Sequence, residues 1–460
     1  MCSGCQLGGA AQQSRRGAQR SLGFHKCTGD IVVSCELVAR YVVAHLLLVP
    51  VDVVGHHGQD HGRVARHGDQ SAAERVTVSA GLLGQQRECI GVWARWVGSV
   101  AAVTRVPVRE DLNALEGYHS PQVDVRVRLN TNESPFAPPA AWRDAFAAEL
   151  SRVEWNRYPE RAATQLREGI AAQHGVRPAQ VFAANGSNEV LQTLLLTFAG
   201  PGRTVATFEP TYQLHGHIAR LTGASVAEGE RAADFTLDLA EVHRVLTESS
   251  PVITFLCSPN NPTGLVEPEA NVREVLAVVP GLLVVDEAYG QFADWSAIGM
   301  IDDDTNLVVT RTFSKTWSMA GSRLGYLVGP EWLVAELDKV VLPYHLDAAK
   351  QIAGRLALTF VDEMEDRVQF IVAERERLSA AMSAMAVDVF PSGANFILFR
   401  PRDVPGRQVW QSMLDNGVLI RDCSGWPRLG GCLRVTIGTV EENELFLAAL
   451  AAALVPEAEK

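Results

Sequence analysis

The sequence predicts an α/β protein in which a mainly parallel sheet lies between helices, followed by a smaller α+β domain. From about Pro107 onward, apolar runs of strand length alternate with segments that have the period of a helix. The runs are apolar on both faces, which is typical of parallel strands that helices cover on both sides. After Pro343 the pattern becomes helical, and only two further strand-like runs follow.

The individual elements follow from this alternation. The predicted strands of the larger domain are QVFAAN (180–185), TVATFEP (204–210), PVITFLCS (251–258), GLLVVDEAY (281–289) and NLVVTRTFS (306–314). Helices are predicted at NEVLQTLLLTFAG (188–200) and YQLHGHIARLTG (212–223). The smaller domain is predicted to contain a long helical stretch (348–385) and the strands NFILFR (395–400) and CLRVTIGT (432–439), around another helix.

These elements divide the chain into four segments. We expect 107–157 to form an N-terminal arm with part of the small domain, 158–345 the large domain, and 346–460 the C-terminal small domain. Residues 1–106 differ from the rest in composition and in pattern. They hold half of the chain's twelve histidines, and no helical or strand period persists in them. We expect them to be either a poorly ordered extension or sequence that is not native coding sequence.

Two patterns in this extension invite a metal or redox interpretation. His57 and His61 have the i, i+4 spacing of a helical metal site, and Cys2 and Cys5 form a C-x-x-C. No defined helix holds the histidines, and no second cysteine pair follows at zinc-ribbon spacing. The sequence therefore predicts no metal site.

Composition limits the classes of partner. The formal net charge of −12 argues against nucleic acid as the main partner, because nucleic-acid-binding proteins usually present a basic face. The most apolar early run, 37–54, is interrupted by charged residues and Pro50, so we expect no membrane span. Eight scattered cysteines do not form a disulfide framework and favour a reducing, cytoplasmic location.

Polar residues follow the predicted strands of the large domain. In open parallel sheets, ligands bind outside the carboxyl ends of the strands. We expect several kinds of residue at this edge: a glycine-containing turn at the start of a helix, an aromatic side chain, an amide side chain, an acidic residue near a tyrosine, and a lysine. These residues are Gly186, Ser187, Asn188, Tyr212, Asn261, Asp286, Tyr289, Ser314 and Lys315.

These residues belong to a longer set of motifs, through which residues 112–454 resemble the fold type I aminotransferases that use pyridoxal 5′-phosphate (PLP). Within that group they most resemble the histidinol-phosphate aminotransferases. The resemblance rests on the ordered set RLNTNESPFAPP, WNRYPE, ANGSNEVLQTLLLTFAGPGRT, CSPNNPTG, VVDEAYGQF, RTFSKTWSMAGSRLGY, LPYHL, SGANFILF and GVLIRDCSGWPRLGGCLRVTIGTVEEN. Any one of these motifs alone would be weak evidence.

The resemblance implies a role for each residue around the cofactor ring. Lys315 would form the Schiff base with PLP and later carry a proton as a free amine. Asp286 would pair with the pyridine nitrogen, although it could instead cap the following helix. Tyr289 and Asn261 would hydrogen-bond the 3′-oxygen, although Asn261 could be an ordinary turn residue. Tyr212 would stack on the ring; a lone tyrosine is otherwise more often part of a core.

The resemblance also implies how the cofactor phosphate is held. Backbone N–H groups of the turn 186–188 and the helix dipole would face the anion. The hydroxyl of Ser314 and the guanidinium of Arg323 would add direct bonds. In the family, the tyrosine that corresponds to Tyr158 reaches this phosphate from the other subunit, which implies a homodimer.

Substrate recognition is expected in the C-terminal part. Arg434 matches the arginine that holds the substrate carboxylate in most aminotransferases, and with Arg421 it would hold the substrate phosphate. Arg421 could instead form a surface ion pair. Asn130 and Tyr344 are further candidates for the pocket. Asp347 and Asn188 depart from the family pattern, and an inward-pointing Asp347 would weaken binding of phosphorylated substrates.

The implied reaction is the conversion of L-histidinol phosphate and 2-oxoglutarate to imidazole-acetol phosphate and L-glutamate, a step of histidine biosynthesis. Three alternatives stay open at this point. Two keep the scaffold and change the substrate, namely an aromatic amino acid aminotransferase and a phosphothreonine-type decarboxylase. The third is a PLP-binding transcription regulator, which would need a DNA-binding helix-turn-helix within 1–106.

Overall fold

A computed structural model describes residues 106–113, 115, 117 and 122–455, within the compact unit Arg105–Lys460. The predicted extension, with Cys2, Cys5, His57 and His61, lies outside the described residues except for Val106. None of the helices in the described part of the chain is both long and apolar enough to cross a membrane.

A seven-stranded sheet forms the centre of the larger part. Its strands are β2 (Val181–Ala184), β3 (Thr204–Glu209), β4 (Ser225–Glu230), β5 (Ile253–Cys257), β6 (Leu282–Asp286), β7 (Leu307–Thr312) and β8 (Gly325–Val328). Their spatial order is β2-β8-β7-β6-β5-β3-β4. The four pairs from β7 to β4 are parallel, and β8 is antiparallel to both of its neighbours. The predicted mainly parallel sheet is thus confirmed.

Alternate residues of the central strands pack into two different hydrophobic clusters. In β6, Leu283 and Val285 belong to one cluster, whereas Leu282 and Val284 belong to the other. Helices cover both faces of the sheet. In this part of the chain they are α1 (Ala140–Leu150), α2 (Thr164–His174), α3 (Ser187–Phe198), α4 (Leu214–Leu221), α5 (Leu239–Ser249), α6 (Glu269–Val278) and α7 (Glu331–Val340). Burial on both faces explains why these strands read as continuous apolar runs.

The C-terminal part contains an antiparallel sheet and its own hydrophobic cluster. The strands are β9 (Val387–Val389), β10 (Phe396–Pro401), β12 (Arg421–Asp422) and β13 (Leu433–Thr436), in the order β12-β13-β10-β9. Its helices are α8 (Ala348–Ala357), α9 (Val361–Ser383), α10 (Gly406–Asp415) and α11 (Val440–Ala453). Two short strands, β1 (Val127–Arg128) and β11 (Val418–Leu419), pair in parallel and join the arm to this part.

The elements differ from the predicted ones in two respects. The helical stretch 348–385 is two helices, because the chain leaves the helix between Ala357 and Val361. The predicted strands also lacked six that the structure contains, namely β1, β4, β8, β9, β11 and β12. The large-domain and small-domain bounds remain predictions.

Candidate active site

The carboxyl ends of the parallel strands open into a cleft of about 330 Å³. Strands β2, β3, β5, β6 and β7 all run in one direction, so the residues that follow them meet at one edge. Twelve of the predicted residues line this cleft: Asn130, Ser187, Asn188, Tyr212, Asn261, Asp286, Tyr289, Ser314, Lys315, Arg323, Arg421 and Arg434. Gly186 directly precedes two of them. Tyr158 and Tyr344 do not line it.

Lys315 follows the end of β7 by three residues and points into the cleft. Its Nζ donates to the carbonyl oxygen of Thr131 at 3.1 Å and lies 5.6 Å from the centroid of the Tyr289 ring. Burial and the positive charge of Arg434 lower the pKa of this amine to about 7. A lysine with such a pKa carries a substantial neutral fraction at neutral pH, and the neutral amine is the nucleophilic form.

Asp286 is the last residue of β6 and is only 2% exposed. Its Oδ2 lies 2.9 Å from Nε2 of His215, and its Oδ1 accepts a bond from the Ala288 N–H at 3.1 Å. His215 is fully buried and stacks on Phe255 with ring centroids 4.4 Å apart. The histidine therefore fixes the carboxylate while the carboxylate still faces the cleft.

His215 is a site residue that sequence reasoning missed. The available signal was its position three residues after the cleft residue Tyr212, which places His215 in the first turn of α4 (Leu214–Leu221) and Tyr212 just before that helix. The centroids of the Tyr212 and His215 rings are 5.3 Å apart, in an edge-to-face arrangement. The hydroxyl of Tyr212 donates to Oδ1 of Asn188 at 3.2 Å.

The turn before α3 (Ser187–Phe198) is shaped as an anion cradle. Gly186 has φ +81°, and a Cβ at this position would come within 2.8 Å of Nη2 of Arg323. A Cβ at Gly325 would come within 2.3 Å of the Ser187 nitrogen. Arg323 donates from Nη1 to Oγ of Ser314 at 3.3 Å. The first N–H groups of a helix have no partner within it, so they and the guanidinium can share one phosphate.

Tyr289 and Asn261 are held by residues of the arm and the C-terminal sheet. The Tyr289 hydroxyl accepts a bond from Nδ2 of Asn132 at 2.9 Å, and burial raises the pKa of Tyr289 to about 12. Oδ1 of Asn261 accepts a bond from Arg434. Asn261 also lines the cleft, and with its oxygen occupied the amide N–H groups are the donors that its side chain can offer to a ligand. Both side chains can thus donate to an acceptor in the cleft.

The two predicted substrate arginines lie directly opposite each other. Arg421 of β12 pairs with Arg434 of β13 in the antiparallel ladder, and both are buried. Arg434 also donates from Nη2 to the Asn130 carbonyl oxygen at 3.1 Å, and its Nε donates to no acceptor in the described part of the chain. Two buried arginines at paired positions of neighbouring strands favour a ligand with two negative charges or several anionic oxygens.

Trp426 is a second residue that sequence reasoning missed. It lies on the loop between β12 and β13 and lines the cleft. The Arg421 guanidinium carbon is 5.7 Å from the centroid of its ring, which is within cation–π range. A tryptophan in a glycine- and proline-containing loop carries no periodic signal, so only the folded contact identifies it.

Three other residues have definite places outside the cleft. Tyr158 and Tyr344 stack on each other with centroids 4.5 Å apart and are 80% and 43% exposed. Asp347 caps α8 (Ala348–Ala357), where its Oδ1 accepts a bond from the Lys350 N–H at 2.8 Å. Asp347 does not line the cleft, so the expected penalty for phosphorylated substrates does not arise from it.

The geometry agrees with comparisons to known proteins. The model of the family described as aminotransferase class I and II matches residues 125–450. The chain belongs to this family. A histidinol-phosphate aminotransferase of Frankia casuarinae is 44% identical over 360 residues, which cover 75% of this chain and 89% of the relative. One of Mycobacterium marinum is 45% identical over 357 residues, with 75% and 92% covered.

Solved structures of an aminotransferase and of a decarboxylase share the fold. A histidinol-phosphate aminotransferase from Sinorhizobium meliloti, solved in complex with pyridoxal-5′-phosphate, superposes with a TM-score of 0.70 at 23% identity and covers 77% of this chain and 99% of its own. The L-threonine-O-3-phosphate decarboxylase of Porphyromonas gingivalis reaches 0.63 at 22% identity, with 71% and 99% covered. The predicted fold type I class and the predicted aminotransferase activity are confirmed.

Proposed function

We propose that this chain is a PLP-dependent transaminase that transfers the amino group of L-histidinol phosphate to 2-oxoglutarate, giving imidazole-acetol phosphate and L-glutamate. The observation that carries the substrate assignment is the opposed pair Arg421 and Arg434 beside Lys315. A phosphate monoester offers enough oxygens for both guanidinium groups, and the carboxylates of 2-oxoglutarate can use the same anchors. Relatives at 44% and 45% identity that carry this activity in their names support the same assignment.

The residues present fit PLP as the cofactor. The close approach of Arg323 to Gly186 leaves an anion cradle at the helix N-terminus, which suits the cofactor phosphate. Asp286 would hold the proton on the ring nitrogen, and Tyr289 would donate to the ring oxygen. When bound, PLP supplies the carbonyl group that captures the substrate amine and the electron sink for the bond that breaks.

Lys315 would perform two tasks. As the covalent anchor, Nζ would hold the cofactor in place before the substrate arrives, and the neutral amine is the form that can make this bond. As a free amine, Nζ would take the proton from the amine-bearing carbon of the substrate, and its pKa of about 7 suits it to act as a base at neutral pH. The arginines meanwhile fix the far end of the substrate, so the reacting carbon stays within reach of Nζ.

Steady-state turnover with competing amino donors tests this substrate assignment. We expect kcat/KM for L-histidinol phosphate to exceed that for L-phenylalanine by about 10²-fold or more, because phenylalanine has no phosphate for the arginine pair. Carbon dioxide released from phosphothreonine would instead favour the decarboxylase alternative. A preference for phenylalanine would replace the proposal by an aromatic amino acid aminotransferase.

We further propose that the active unit is a homodimer in the cytoplasm. Trp155, Tyr158, Leu342 and Tyr344 are all exposed apolar side chains, with Trp155 68% and Leu342 75% exposed. The Tyr158 and Tyr344 rings stack on each other, which brings these two chain segments together at the surface. Exposed apolar side chains grouped in this way are typical of a surface that another protein covers. The described cysteines are free thiols, which fits a reducing compartment.

Subunit complementation tests whether Tyr158 acts in the partner's site. Lys315→Ala and Tyr158→Ala are each expected to be impaired. When the two variants are denatured together and refolded as a mixture, half of the dimers are mixed, and each mixed dimer contains one site with both residues intact. We therefore expect recovery of about a quarter of the wild-type activity. If the activity of the mixture stays at the average of the activities of the two separate variants, Tyr158 lies outside the partner's site.

A further inference from the structure

The arm segment 130–134 runs along the cleft and touches both groups that handle the substrate. The Asn130 carbonyl oxygen accepts a bond from Arg434, and the Thr131 carbonyl oxygen accepts one from Lys315, each at 3.1 Å. The chain therefore passes from the arginine end of the cleft to the lysine. Glu133 comes two residues after Thr131 and also lines the cleft.

The far end of this segment is fixed as well. Oγ of Ser134 accepts a bond from Oγ of Ser318 at 2.9 Å, in the loop that carries Lys315. Glu133 is thus held on the stretch that leads away from Arg434, with an anchored residue on either side of it. Its backbone is fixed by these neighbours, whereas its side chain remains 45% exposed and can reach a ligand.

Glu133 is chemically distinct among the residues that line the cleft. In the described part of the chain, the carboxylates on the cleft wall are those of Glu133 and Asp286. Asp286 already bonds His215 and a backbone N–H. Glu133 pairs with Arg128 at 3.9 Å, and the Arg128 side chain is 60% exposed; exposed pairs of this kind contribute little. The Glu133 carboxylate therefore remains available as an acceptor.

The amine-bearing carbon of the proposed substrate carries three polar arms: the amino group itself, a methylene that bears the phosphate, and a methylene that bears an imidazole ring. Under the proposed function, the amine meets Lys315 and the phosphate meets the arginine pair. The third arm ends in an imidazole ring, which carries an N–H donor and is partly protonated near neutral pH. A donor that enters a protein cleft without an acceptor costs binding free energy, whereas a charge-assisted bond stabilises it.

We propose that Glu133 accepts a hydrogen bond from the imidazole N–H of the substrate and so selects an imidazole over a phenyl ring. This inference rests on the proposed function and adds the residue that reads the ring. A competing role is that Glu133 acts on Lys315, since its negative charge raises the pKa of that amine. The two roles differ in one respect: an effect through Lys315 would apply to every substrate.

A matched pair of substrates separates these roles. L-Histidinol phosphate and L-phenylalaninol phosphate share the amine, the phosphate and the methylene spacer, and differ in the ring. In the holoenzyme we expect Glu133→Ala to lower kcat/KM for histidinol phosphate by about 10- to 100-fold and to leave phenylalaninol phosphate nearly unchanged. Glu133→Gln should retain part of the preference, because its amide oxygen accepts the same bond without the charge.

Glu248→Ala is the matched control, because Glu248 is 62% exposed and pairs with Arg244 on α5 (Leu239–Ser249). It should change neither substrate. An equal loss on both substrates in Glu133→Ala, with an unchanged thermal midpoint, would overturn the inference and leave the proposed function standing. A wild type that does not turn over histidinol phosphate would remove the proposed function and this inference together.

Discussion

Replacement of Lys315 by alanine is expected to lower the transamination rate by about 10⁴-fold, the upper range for loss of a proton-transferring group. The reason is that one side chain both anchors the cofactor and moves the proton. Its amine is held at the carboxyl edge of β7 (Leu307–Thr312) by the Thr131 carbonyl oxygen at 3.1 Å. The single-turnover rate with L-histidinol phosphate measures the loss, and the absorbance of protein-bound PLP measures the anchoring.

Lys339→Ala provides the matched control for this variant. Lys339 is 66% exposed and pairs with Glu336 on the surface helix α7 (Glu331–Val340). It should keep both the activity and the absorbance band that the wild type shows after addition of PLP. If Lys315→Ala kept the wild-type band and rate, Lys315 would be neither the anchor nor the base. A wild type that stayed colourless with PLP would refute the cofactor assignment itself.

The central sheet could be predicted because its strands are buried on both faces. Strand β6 (Leu282–Asp286) is an example, since every one of its residues is buried and the run is apolar until its last position. Strand β4 (Ser225–Glu230) lies at the edge of the sheet, where most of its side chains are at least partly exposed, so it has no apolar run to recognise. Strand β8 (Gly325–Val328) has only four residues and follows a glycine-containing turn. Short or edge strands depend on their neighbours more than on their own pattern.

The same distinction holds for the site. Asp286 and Lys315 were predictable because Asp286 ends a buried strand and Lys315 closely follows another, so the end of a strand fixes the position of each. His215 and Trp426 are placed by a helix face and a loop, and their relevant partners are distant in the sequence. Asp286 and His215, for example, are 71 residues apart in the sequence. Contacts of that kind exist only once the sheet and its helices have packed, so a local sequence motif does not predict them.

Asp286→Asn is expected to lower kcat/KM by about 10²- to 10³-fold, the size of effect found when one preorganised electrostatic group is removed from an active site. Asparagine has the same shape and can still accept the Ala288 N–H bond, but it lacks the charge that would hold a proton on the ring nitrogen of PLP. The substitution therefore tests the charge more than the packing. Steady-state kinetics with L-histidinol phosphate and 2-oxoglutarate give the measurement.

Two further variants separate the charge of Asp286 from its surroundings. His215→Gln should cause a smaller loss than Asp286→Asn, because the histidine acts only by positioning the carboxylate, with Nε2 and Oδ2 2.9 Å apart. Asp388→Asn, at an exposed aspartate that pairs with Arg402, should leave the kinetics unchanged. A larger loss in His215→Gln than in Asp286→Asn, at equal thermal midpoints, would make the histidine the functional group and the aspartate its support. Full activity in Asp286→Asn would show that a neutral acceptor suffices at this position.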